Sequence, residues 1–316
     1  MTVSRNSGIP LFFQGMKYYG NAMYVVLNGK FVDERKAAIS ALDHGFLYGD
    51  GVYETLRTYG GKVWQIGRHM GRLESSAGLL KIDFPWSREK IEGWVNGLVK
   101  KNGYAESRIR VTVTRGANGM VFDGAVKPTI LIQAVELKAQ PARIYKSGVG
   151  VITVKMKRIM PRAKTISLLP MVLAWQQMKE KKAYEAVYVD EKNNVLEGTV
   201  TNVFAVKKGV VYTPKNGVLP GTTREAIMTA ARRSGIKMKL RDFKVRFLRG
   251  ADEVFISNAP RGIVPVRSVD GVKVGGERKG GAGGAVKVGR GMSAGCPGPV
   301  TRSLMKTFEE YIWKNI

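Results

Sequence analysis

The stretch KRIMPRAKTISLLPMVLAW, residues 157–175, combines a basic, β-branched beginning with an apolar run that is typical of a helix. Two prolines, Pro161 and Pro170, enclose a bend that contains Lys164. Proline is tolerated in the first turn of a helix but not in its interior, so a helix is predicted over about 169–182. On these local grounds alone, Lys164 is interpreted as one more solvated surface lysine.

The composition indicates a globular protein of one or two domains. The chain has 316 residues, and a hydrophobic fraction of 44% is enough for a core of useful size. A single cysteine, Cys296, excludes an intramolecular disulfide and favours a reducing, cytoplasmic compartment. No apolar run approaches the roughly 20 residues of a membrane span. Residues 1–15, which include LFFQG, are predicted to be a leader or an expression-derived segment outside the fold.

The net charge of +27, from 52 Lys and Arg against 25 Asp and Glu, is the strongest compositional anomaly. A clustered excess of this kind is typical of nucleic-acid binding, because lysine and arginine release counterions from phosphate backbones. Here the basic residues are scattered and are not interleaved with aromatic residues, which favours a diffuse, solvated basic surface. The sequence therefore predicts neither a nucleic-acid partner nor a membrane partner.

The stretch at about 271–295, GVKVGGERKGGAGGAVKVGRGMSAG, is rich in glycine and basic residues and contains almost nothing that could pack. Such a segment cannot bury enough apolar area to offset the entropy of ordering it, so a mobile surface loop is predicted. Its glycines match neither a P-loop nor a dinucleotide-binding fingerprint, because no strand-then-helix context surrounds them.

Strand-like and helix-like hydrophobic patterns alternate along the chain, which predicts a mixed α and β fold. AMYVVLNGKFV is a hairpin signal, with β-forming residues on both sides of Asn28-Gly29, a dipeptide suited to a type I′ turn. The polar stretch 138–148, which contains a proline, is the best candidate for an interdomain linker. It divides the chain into a small N-terminal domain, 16–137, and a larger C-terminal domain, 149–316.

Few residues are suited to metal or thiol chemistry. The chain has two histidines, His44 and His69, and one cysteine, which excludes a structural zinc site and an ordinary cysteine–histidine nucleophile pair. In LPGTTREAI, Thr222 and Glu225 have the spacing of a capping box, and a helix start entered through a glycine turn is suited to a phosphate. In NNVLEGTVTNVF, Glu197 stands at a strand end, where a carboxylate is most often exposed.

One protein family carries the same motifs in the same order, namely RAKTISLL, NNVLEGTVTNVF, LPGTTREAI and DEVFISNAPRGIVPVRSVDG. On these motifs the chain resembles the class IV, fold-type IV, pyridoxal-phosphate-dependent aminotransferases. That family includes the branched-chain and D-amino-acid aminotransferases and the aminodeoxychorismate lyases. Two N-terminal motifs, DHGFLYGDGVYETLR and RHMGRLESSA, match the same family, and the resemblance covers about residues 23–310 apart from the glycine-rich stretch.

The resemblance implies a mixed α+β fold of two domains, a small N-terminal one and a larger C-terminal one. It also implies that the cofactor, pyridoxal 5′-phosphate, lies between the two domains. Relatives are homodimers in which loops of the partner close the pocket, so at least a homodimer is expected here.

The resemblance assigns roles to individual residues. Lys164 matches the lysine that forms a Schiff base with the cofactor and later acts as a general base, and both roles need a neutral amine. Glu197 matches the carboxylate that keeps the pyridine nitrogen protonated, so that the ring withdraws electrons from the substrate Cα. Arg72 matches the arginine that pairs with the cofactor phosphate.

Further residues match positions that in relatives contact the cofactor phosphate or line the substrate pocket. The resemblance assigns the phosphate contacts to Thr222, Thr223, Ser257 and Asn258. It assigns the substrate pocket to Tyr48, Tyr53, Arg110 and Ala259. Many relatives have threonine or serine at the position of Ala259, and Arg110 is otherwise a strand residue on the solvent face.

The implied reaction is transamination, in which an amino acid gives its amino group to 2-oxoglutarate or another 2-oxo acid. A branched-chain or other hydrophobic L-amino acid is the preferred donor, and a D-amino acid is the alternative. Ser167 and Leu169 depart from the branched-chain pattern, whereas RGANGMVFDG lacks the Arg-x-His pair of well-known D-amino-acid enzymes. Two further alternatives are an aminodeoxychorismate lyase, which releases pyruvate, and a basic nucleic-acid-binding protein that has lost its cofactor.

Overall fold

The computed structural model describes residues 23–122, 126–275 and 295–316. The predictions for residues 1–15 and for most of the glycine-rich stretch lie outside these residues. Within them the chain forms two compact units. The N-terminal unit comprises 23–139, 158–170 and 312–316, and the C-terminal unit comprises 140–157 and 171–311, apart from the residues not described.

The N-terminal unit contains a sheet, two helices of about four turns and one short helix. Its strands are β1 (Tyr24–Leu27), β2 (Lys30–Asp33), β3 (Gly51–Tyr59), β4 (Lys62–Val63), β5 (Ser107–Thr114) and β6 (Thr129–Glu136). Its helices are α1 (His44–Tyr48), α2 (Ile66–Leu79) and α3 (Arg88–Asn102), and a short 3-10 turn occupies Glu34–Lys36.

The N-terminal sheet has the strand order β2-β1-β6-β5-β3-β4, and every neighbouring pair is antiparallel. The predicted hairpin is confirmed, with Asn28 at φ 49° and Gly29 at φ 83°, as a type I′ turn requires. Met70, Leu73 and the other apolar residues of α2 recur every three to four positions, so that one face of this helix is buried in the core. Strand β3 lies beneath that face and carries several of the residues discussed below.

The C-terminal unit alternates helices with the strands of a mixed sheet. Its helices are α4 (Ala142–Lys146), α5 (Leu169–Glu180), α6 (Thr222–Arg233), α7 (Val245–Arg249) and α8 (Pro299–Trp313). Its strands are β7 (Val149–Lys155), β8 (Glu185–Val189), β9 (Val195–Gly198), β10 (Asn202–Lys207), β11 (Val210–Thr213), β12 (Met238–Leu240), β13 (Glu253–Asn258), β14 (Gly262–Val269) and β15 (Val272–Lys273).

The described strands of the C-terminal unit are ordered β12-β11-β10-β13-β14-β7-β8-β9, and β15 pairs with β14. Strand β7 is parallel to both of its neighbours, whereas β10, β13 and β14 are joined by antiparallel pairing. The mixed α+β fold that the hydrophobic pattern predicts is therefore confirmed. In the described part of the chain, no helix has the length and apolar character needed to cross a membrane.

Two observations bear on the domain boundaries. The predicted linker, 138–148, contains α4, and its Ile144 is buried in the core of the C-terminal unit. Residues 158–170, which the sequence places in the C-terminal domain, belong to the N-terminal unit because their backbone bonds to β3. The boundaries 16–137 and 149–316 stay a proposal, and these two segments are where the compact units differ from them.

Candidate active site

Lys164 lies in a bend whose backbone is anchored to the N-terminal unit. The Lys164 carbonyl accepts a hydrogen bond of 2.8 Å from the Tyr53 N–H, and the Lys164 N–H donates to Ser76 Oγ at 3.1 Å. Two residues later, the Ile166 N–H donates to the Gly51 carbonyl at 2.9 Å. These bonds tie the bend to strand β3 and to helix α2, and Lys164 itself is half-buried. The interpretation as a freely solvated lysine is therefore wrong.

Arg158 holds the bend from its N-terminal side. One guanidinium nitrogen, Nη1, donates to the Ala163 carbonyl at 2.9 Å, and Nη2 donates to the Pro161 carbonyl. Ala163 directly precedes Lys164 and Pro161 lies three residues before it, so one cation fixes the turn that presents the lysine. Sequence reasoning did not single out Arg158, because no local sequence pattern distinguishes an arginine that fixes a turn from a surface arginine.

Tyr53 and Arg110 lie close to the lysine side chain. The Lys164 Nζ is 4.5 Å from the centroid of the Tyr53 ring, and the Arg110 Cζ is 3.8 Å from the same centroid. Tyr53 is buried, with 7% of its surface exposed. The Arg110 Nε also donates to Thr112 Oγ1 at 3.1 Å. The structure thus brings three of the predicted residues into one cluster, and Arg110 does not simply face solvent.

The charges of this cluster alter the acidity of its members. Burial by itself would raise the pKa of the Tyr53 phenol, but the positive charges of Lys164, Arg110 and Arg158 outweigh burial and lower it. Burial lowers the pKa of the Arg110 guanidinium, and the Tyr53 phenol opposes that effect. The phenol is therefore stabilised as an anion by the surrounding cations.

Tyr48 belongs to a different part of the N-terminal unit. Its ring lies 5.1 Å from His44 and 5.0 Å from Phe122, centroid to centroid, and 43% of Tyr48 is exposed. His44 is fully buried, and neither of its ring nitrogens has a hydrogen-bond partner among the described residues. The structure does not bring Tyr48 into the cluster around Lys164.

Arg72 is held by a buried carboxylate. Its Nε donates to Glu54 Oε1 at 2.6 Å and its Nη2 donates to Glu54 Oε2 at 2.7 Å. The His69 Nδ1 lies 2.7 Å from Glu54 Oε2, and Glu54 and His69 are almost wholly buried. Because a carboxylate only accepts hydrogen bonds, the proton of a neutral His69 is assigned to Nδ1. A two-point guanidinium–carboxylate pair of this kind fixes the plane of the arginine.

The same ion pair sets the charge states of its members. Burial would raise the pKa of the Glu54 carboxyl, but the charge and hydrogen bonds of Arg72, followed by those of His69, hold it well below its usual range. Burial lowers the pKa of the His69 imidazole, despite the opposing effect of Glu54. Sequence reasoning missed Glu54 and His69. The available signal was the spacing of His69 and Arg72, which are three residues apart and share one helix face.

Glu197 lies at the end of strand β9 in the C-terminal unit and is buried, with 5% of its surface exposed. Its Oε2 accepts the Leu219 N–H at 3.0 Å, and the Asn202 Nδ2 donates to the Leu219 carbonyl at 3.1 Å. The carboxylate and the amide thus hold Leu219, in the turn before helix α6, through both of its backbone polar groups. The interpretation of Glu197 as an exposed edge residue is wrong.

Arg224 places a positive charge near Glu197. Burial lowers the pKa of the Arg224 guanidinium, and the charges of Glu197 and Glu225 oppose that effect. The Arg224 side chain donates from Nε to Thr213 Oγ1 at 3.2 Å and from Nη2 to the Pro214 carbonyl at 2.5 Å.

Helix α6 begins at Thr222, and Gly221 is its N-cap residue. The predicted capping box is therefore wrong, because Gly221 has no side chain with which to cap. A Cβ at position 221 would collide with the Asn202 amide oxygen, which explains the glycine. Thr222 and Thr223 are buried, and the Thr223 hydroxyl has no hydrogen-bond partner among the described residues.

Ser257 and Asn258 lie at the end of β13, where Ser257 pairs with Asn202 of β10. Ser257 is 2% exposed, and its hydroxyl has no partner in the described part of the chain. The Asn258 Oδ1 accepts the Arg261 N–H at 3.1 Å, and its Nδ2 donates to the Val200 carbonyl at 3.3 Å. Asn258 therefore shapes the turn that follows, in which Ala259 is half-buried.

Glu185 supports the turn that follows Glu197. Its Oε1 accepts the Thr199 hydroxyl at 2.6 Å, the Thr199 N–H at 3.1 Å and the Ala186 N–H at 2.9 Å, and its Oε2 accepts the Thr201 hydroxyl at 3.1 Å. Burial raises the pKa of the Glu185 carboxyl even though these hydrogen bonds oppose it. Sequence reasoning missed this residue, because a glutamate at the start of an apolar strand is usually interpreted as the exposed end of that strand.

The start of α6 and the end of β13 fit the phosphate of the implied cofactor. The first N–H groups of a helix have no partner within the helix and lie at the positive end of its dipole. The buried Thr223 and Ser257 hydroxyls add donors that no described residue satisfies. Buried hydroxyls are normally hydrogen-bonded, so their unsatisfied state indicates a site for a bound anion.

Comparison with known proteins gives consistent matches. The family model described as "Amino-transferase class IV" matches residues 51–269. A Methanocaldococcus jannaschii protein, named provisionally a branched-chain-amino-acid aminotransferase, is 38% identical over 79% of this chain and 88% of its own. D-alanine aminotransferase of Staphylococcus haemolyticus is 32% identical over 91% of this chain and 97% of its own.

The fold is also similar to that of a solved structure, the branched-chain amino acid aminotransferase of Escherichia coli. The TM-score is 0.81 at 27% sequence identity, and the match covers 92% of this chain and 95% of the other.

Proposed function

Because the chain belongs to the class IV aminotransferases, a family of pyridoxal-phosphate-dependent transaminases, we propose that it transfers the amino group of a hydrophobic L-amino acid to 2-oxoglutarate. The observation that carries this proposal is the cluster of Lys164, Tyr53 and Arg110. A lysine whose backbone is fixed and whose amine lies among cations is suited to act as a nucleophile and then as a base.

The residues of this chain would have distinct roles in the reaction. When bound, the cofactor supplies a protonated ring that stabilises negative charge at the substrate Cα. Lys164 would bind the cofactor covalently and, once freed by the substrate, would move the proton at Cα. Glu197, fixed by the Leu219 N–H and near the Arg224 charge, would hold the proton on the ring nitrogen.

The phosphate would be bound by two groups of residues. Arg72 would bind it with a guanidinium whose plane is already fixed by Glu54. The N–H groups at the start of α6, together with the Thr223 and Ser257 hydroxyls, would donate further hydrogen bonds. Asn258 and Ala259 would shape the adjoining turn, and Tyr53 and Arg110 would line the substrate pocket.

The choice of donor rests on the relatives. Branched-chain enzymes among the matches favour a branched-chain L-amino acid, and the Staphylococcus haemolyticus enzyme favours the alternative, a D-amino acid. Aminodeoxychorismate cleavage is a further alternative for the same lysine.

A single cysteine in the chain supports a reducing, cytoplasmic location.

A donor panel tests the proposed function. We expect the purified protein with bound cofactor to form glutamate from 2-oxoglutarate at least about tenfold faster with L-leucine than with D-alanine, a ratio that corresponds to about 1.4 kcal/mol of pocket contacts. Glutamate formation with each donor is measured by chromatography. The reverse preference would replace the L-donor assignment by the D-donor one. Pyruvate release from aminodeoxychorismate without a 2-oxo acid would indicate a lyase.

We further propose that the chain acts as a homodimer through an exposed apolar surface of the N-terminal unit. This surface, which we call the aromatic patch, consists of Leu42, Phe46, Tyr48, Met120, Val121 and Phe122. Between 43% and 82% of each of these residues is exposed. A contiguous apolar surface of this kind is typical of an interface, because water-exposed aromatic groups gain free energy when buried. A second copy of the chain is the occupant that the family resemblance implies.

Charge introduced into the aromatic patch should dissociate the dimer. We expect Phe46→Asp combined with Phe122→Asp to raise the dimer dissociation constant at least about a hundredfold, since each aspartate would be buried without a partner. Sedimentation velocity at several concentrations measures the mass. Leu240→Asp, at an exposed apolar residue of strand β12, is the matched control and should leave the mass unchanged. A double variant that sediments like the unmodified protein would exclude this interface.

A further inference from the structure

We propose that Ser76 is a positioning residue for Lys164, and that helix α2 thereby sets the spacing between this lysine and Arg72. The inference rests on the proposed function, because it assumes that Lys164 binds the cofactor covalently and that Arg72 binds its phosphate. It gives a role to a buried hydroxyl that the proposed reaction does not otherwise use.

The backbone of Lys164 is held by two different elements. Its carbonyl accepts the Tyr53 N–H of strand β3 at 2.8 Å, and the next residue, Thr165, forms an antiparallel bridge with Val52 of the same strand. The Lys164 N–H donates to a different element, to Ser76 Oγ of helix α2, at 3.1 Å. Both polar groups of the Lys164 backbone are therefore engaged, one by a strand and one by a helix.

Ser76 is a fixed acceptor because it is buried. Only 1% of its surface is exposed, and it lies on the buried face of α2 together with Leu73 and Ala77. Water has little access to such a position, so removal of the hydroxyl would leave the Lys164 N–H without an equivalent acceptor. The preceding residue, Ser75, is exposed and lies outside this buried face.

The same helix carries Arg72 one turn before Ser76. Residues four apart lie on one face of a helix, separated by roughly 6 Å along its axis. The Arg72 guanidinium is fixed in turn by Glu54, which directly follows Tyr53 in β3. The contacts therefore form a closed loop, which runs through Lys164, Ser76, Arg72, Glu54 and Tyr53. In such a loop, no member can shift without disturbing the next.

The chemistry of the cofactor explains why this spacing matters. The aldehyde and the phosphate arm of pyridoxal phosphate are attached to neighbouring ring carbons, so the amine and the cation that bind them must lie at one fixed separation. Covalent capture is a condensation of the Lys164 amine with the aldehyde, in which one water molecule leaves. A displacement of about 1 Å can cost about a hundredfold in rate. Ser76 would act on this step through the backbone of Lys164.

Amide hydrogen exchange of the full-length, cofactor-free protein tests the hydrogen bond itself. We expect Ser76→Ala to speed exchange of the Lys164 N–H at least about tenfold relative to core amides, as resolved by NMR, because a buried donor loses its acceptor. Ser75→Ala, at the preceding exposed serine, is the matched control and should leave that exchange unchanged. Unchanged exchange of the Lys164 N–H in Ser76→Ala would overturn the inference.

A second measurement separates positioning from general structural support. Pyridoxamine phosphate has the ring and the phosphate but no aldehyde, so its affinity reports the site without the covalent bond to Lys164. We expect Ser76→Ala to slow covalent capture of pyridoxal phosphate at least about fivefold, measured by mass spectrometry after borohydride reduction. The dissociation constant of pyridoxamine phosphate should stay within about twofold, as for a substitution that leaves the phosphate site intact. Ser75→Ala should change neither quantity.

The outcomes of this second measurement are distinct. Equal rates of capture in Ser76→Ala and Ser75→Ala would overturn the inference. A parallel loss of capture and of pyridoxamine phosphate binding would also overturn it, because Ser76 would then only support the fold. Failure of the unmodified protein to capture pyridoxal phosphate would instead refute the proposed function.

Discussion

Replacement of Lys164 by alanine is expected to lower amino transfer from L-leucine to 2-oxoglutarate at least about a thousandfold. The change removes the nucleophile that binds the cofactor and the base that moves the proton at Cα. It should not unfold the protein, because the backbone bonds of residue 164 to Tyr53 and Ser76 do not involve its side chain. Glutamate formation measures activity, and mass spectrometry after borohydride reduction measures covalent attachment of the cofactor.

The matched control for this prediction is Lys157→Ala. Lys157 is an exposed lysine seven residues earlier in the same segment, so its loss removes one positive charge without touching the bend. We expect its activity and its covalent attachment to stay within about twofold of the unmodified protein, as for most surface substitutions. If Lys164→Ala retained activity comparable to this control, the assignment of the lysine would be wrong.

Replacement of Glu54 by glutamine is expected to lower the free energy of unfolding by about 3–5 kcal/mol, the usual effect of removing one partner of a buried ion pair. Glutamine keeps the size of glutamate but leaves Arg72 without a counter-charge. Its amide nitrogen also faces donors from Arg72 and His69. Urea unfolding at 25 °C measures the loss.

The pH dependence of this loss has a definite sign. The pKa of Glu54 is lowered in the folded protein, so its contribution to stability is fully present above the ordinary carboxyl pKa. It is lost as the pH falls below that value. The difference in stability between the unmodified protein and Glu54→Gln should therefore be largest at neutral pH and should shrink in acid.

An exposed ion pair between helices α2 and α3 provides the control. Arg88 donates from Nε and Nη2 to Glu74 Oε2 at 2.8 and 2.6 Å, but about half of each side chain is exposed. Glu74→Gln should therefore cost no more than about 1 kcal/mol. Equal losses for the Glu54 and Glu74 variants would show that burial of the Glu54 pair has no special effect.

Local sequence patterns were sufficient to predict elements whose apolar residues recur at a regular spacing or whose turns require specific residues. Asn28-Gly29 predicts the first hairpin because only a few residue pairs accept positive φ at both positions. The spacing of Met70 and Leu73 predicts α2, because apolar residues three positions apart lie on the same face of a helix. The short helices α1, α4 and α7 have five residues each and were not predicted, because one turn of helix shows no detectable period.

The candidate site could be predicted only where a motif carries it. Lys164, Glu197 and Arg72 were assigned their roles through the family resemblance alone, and no local pattern distinguishes them from surface residues. Glu54 and Arg72 are 18 residues apart and meet only because α2 packs on β3, so their ion pair is a product of tertiary structure. The capping box failed because the N-cap of α6 is Gly221, one residue before Thr222, and the close approach of Asn202 that excludes a side chain at position 221 is visible only in the tertiary structure.

The path of the chain through residues 158–170 limits how this protein can be divided. Strand β7 ends at Lys155 in the C-terminal unit, residues 158–170 belong to the N-terminal unit, and the chain returns to the C-terminal unit at Met171, within α5. A fragment that ends at residue 139 would contain Tyr53, Arg72 and Arg110 but no Lys164. Any split version, fusion or circular permutant must therefore supply residues 158–170 to that fragment. A cut within residues 158–170 would separate the lysine from its neighbours.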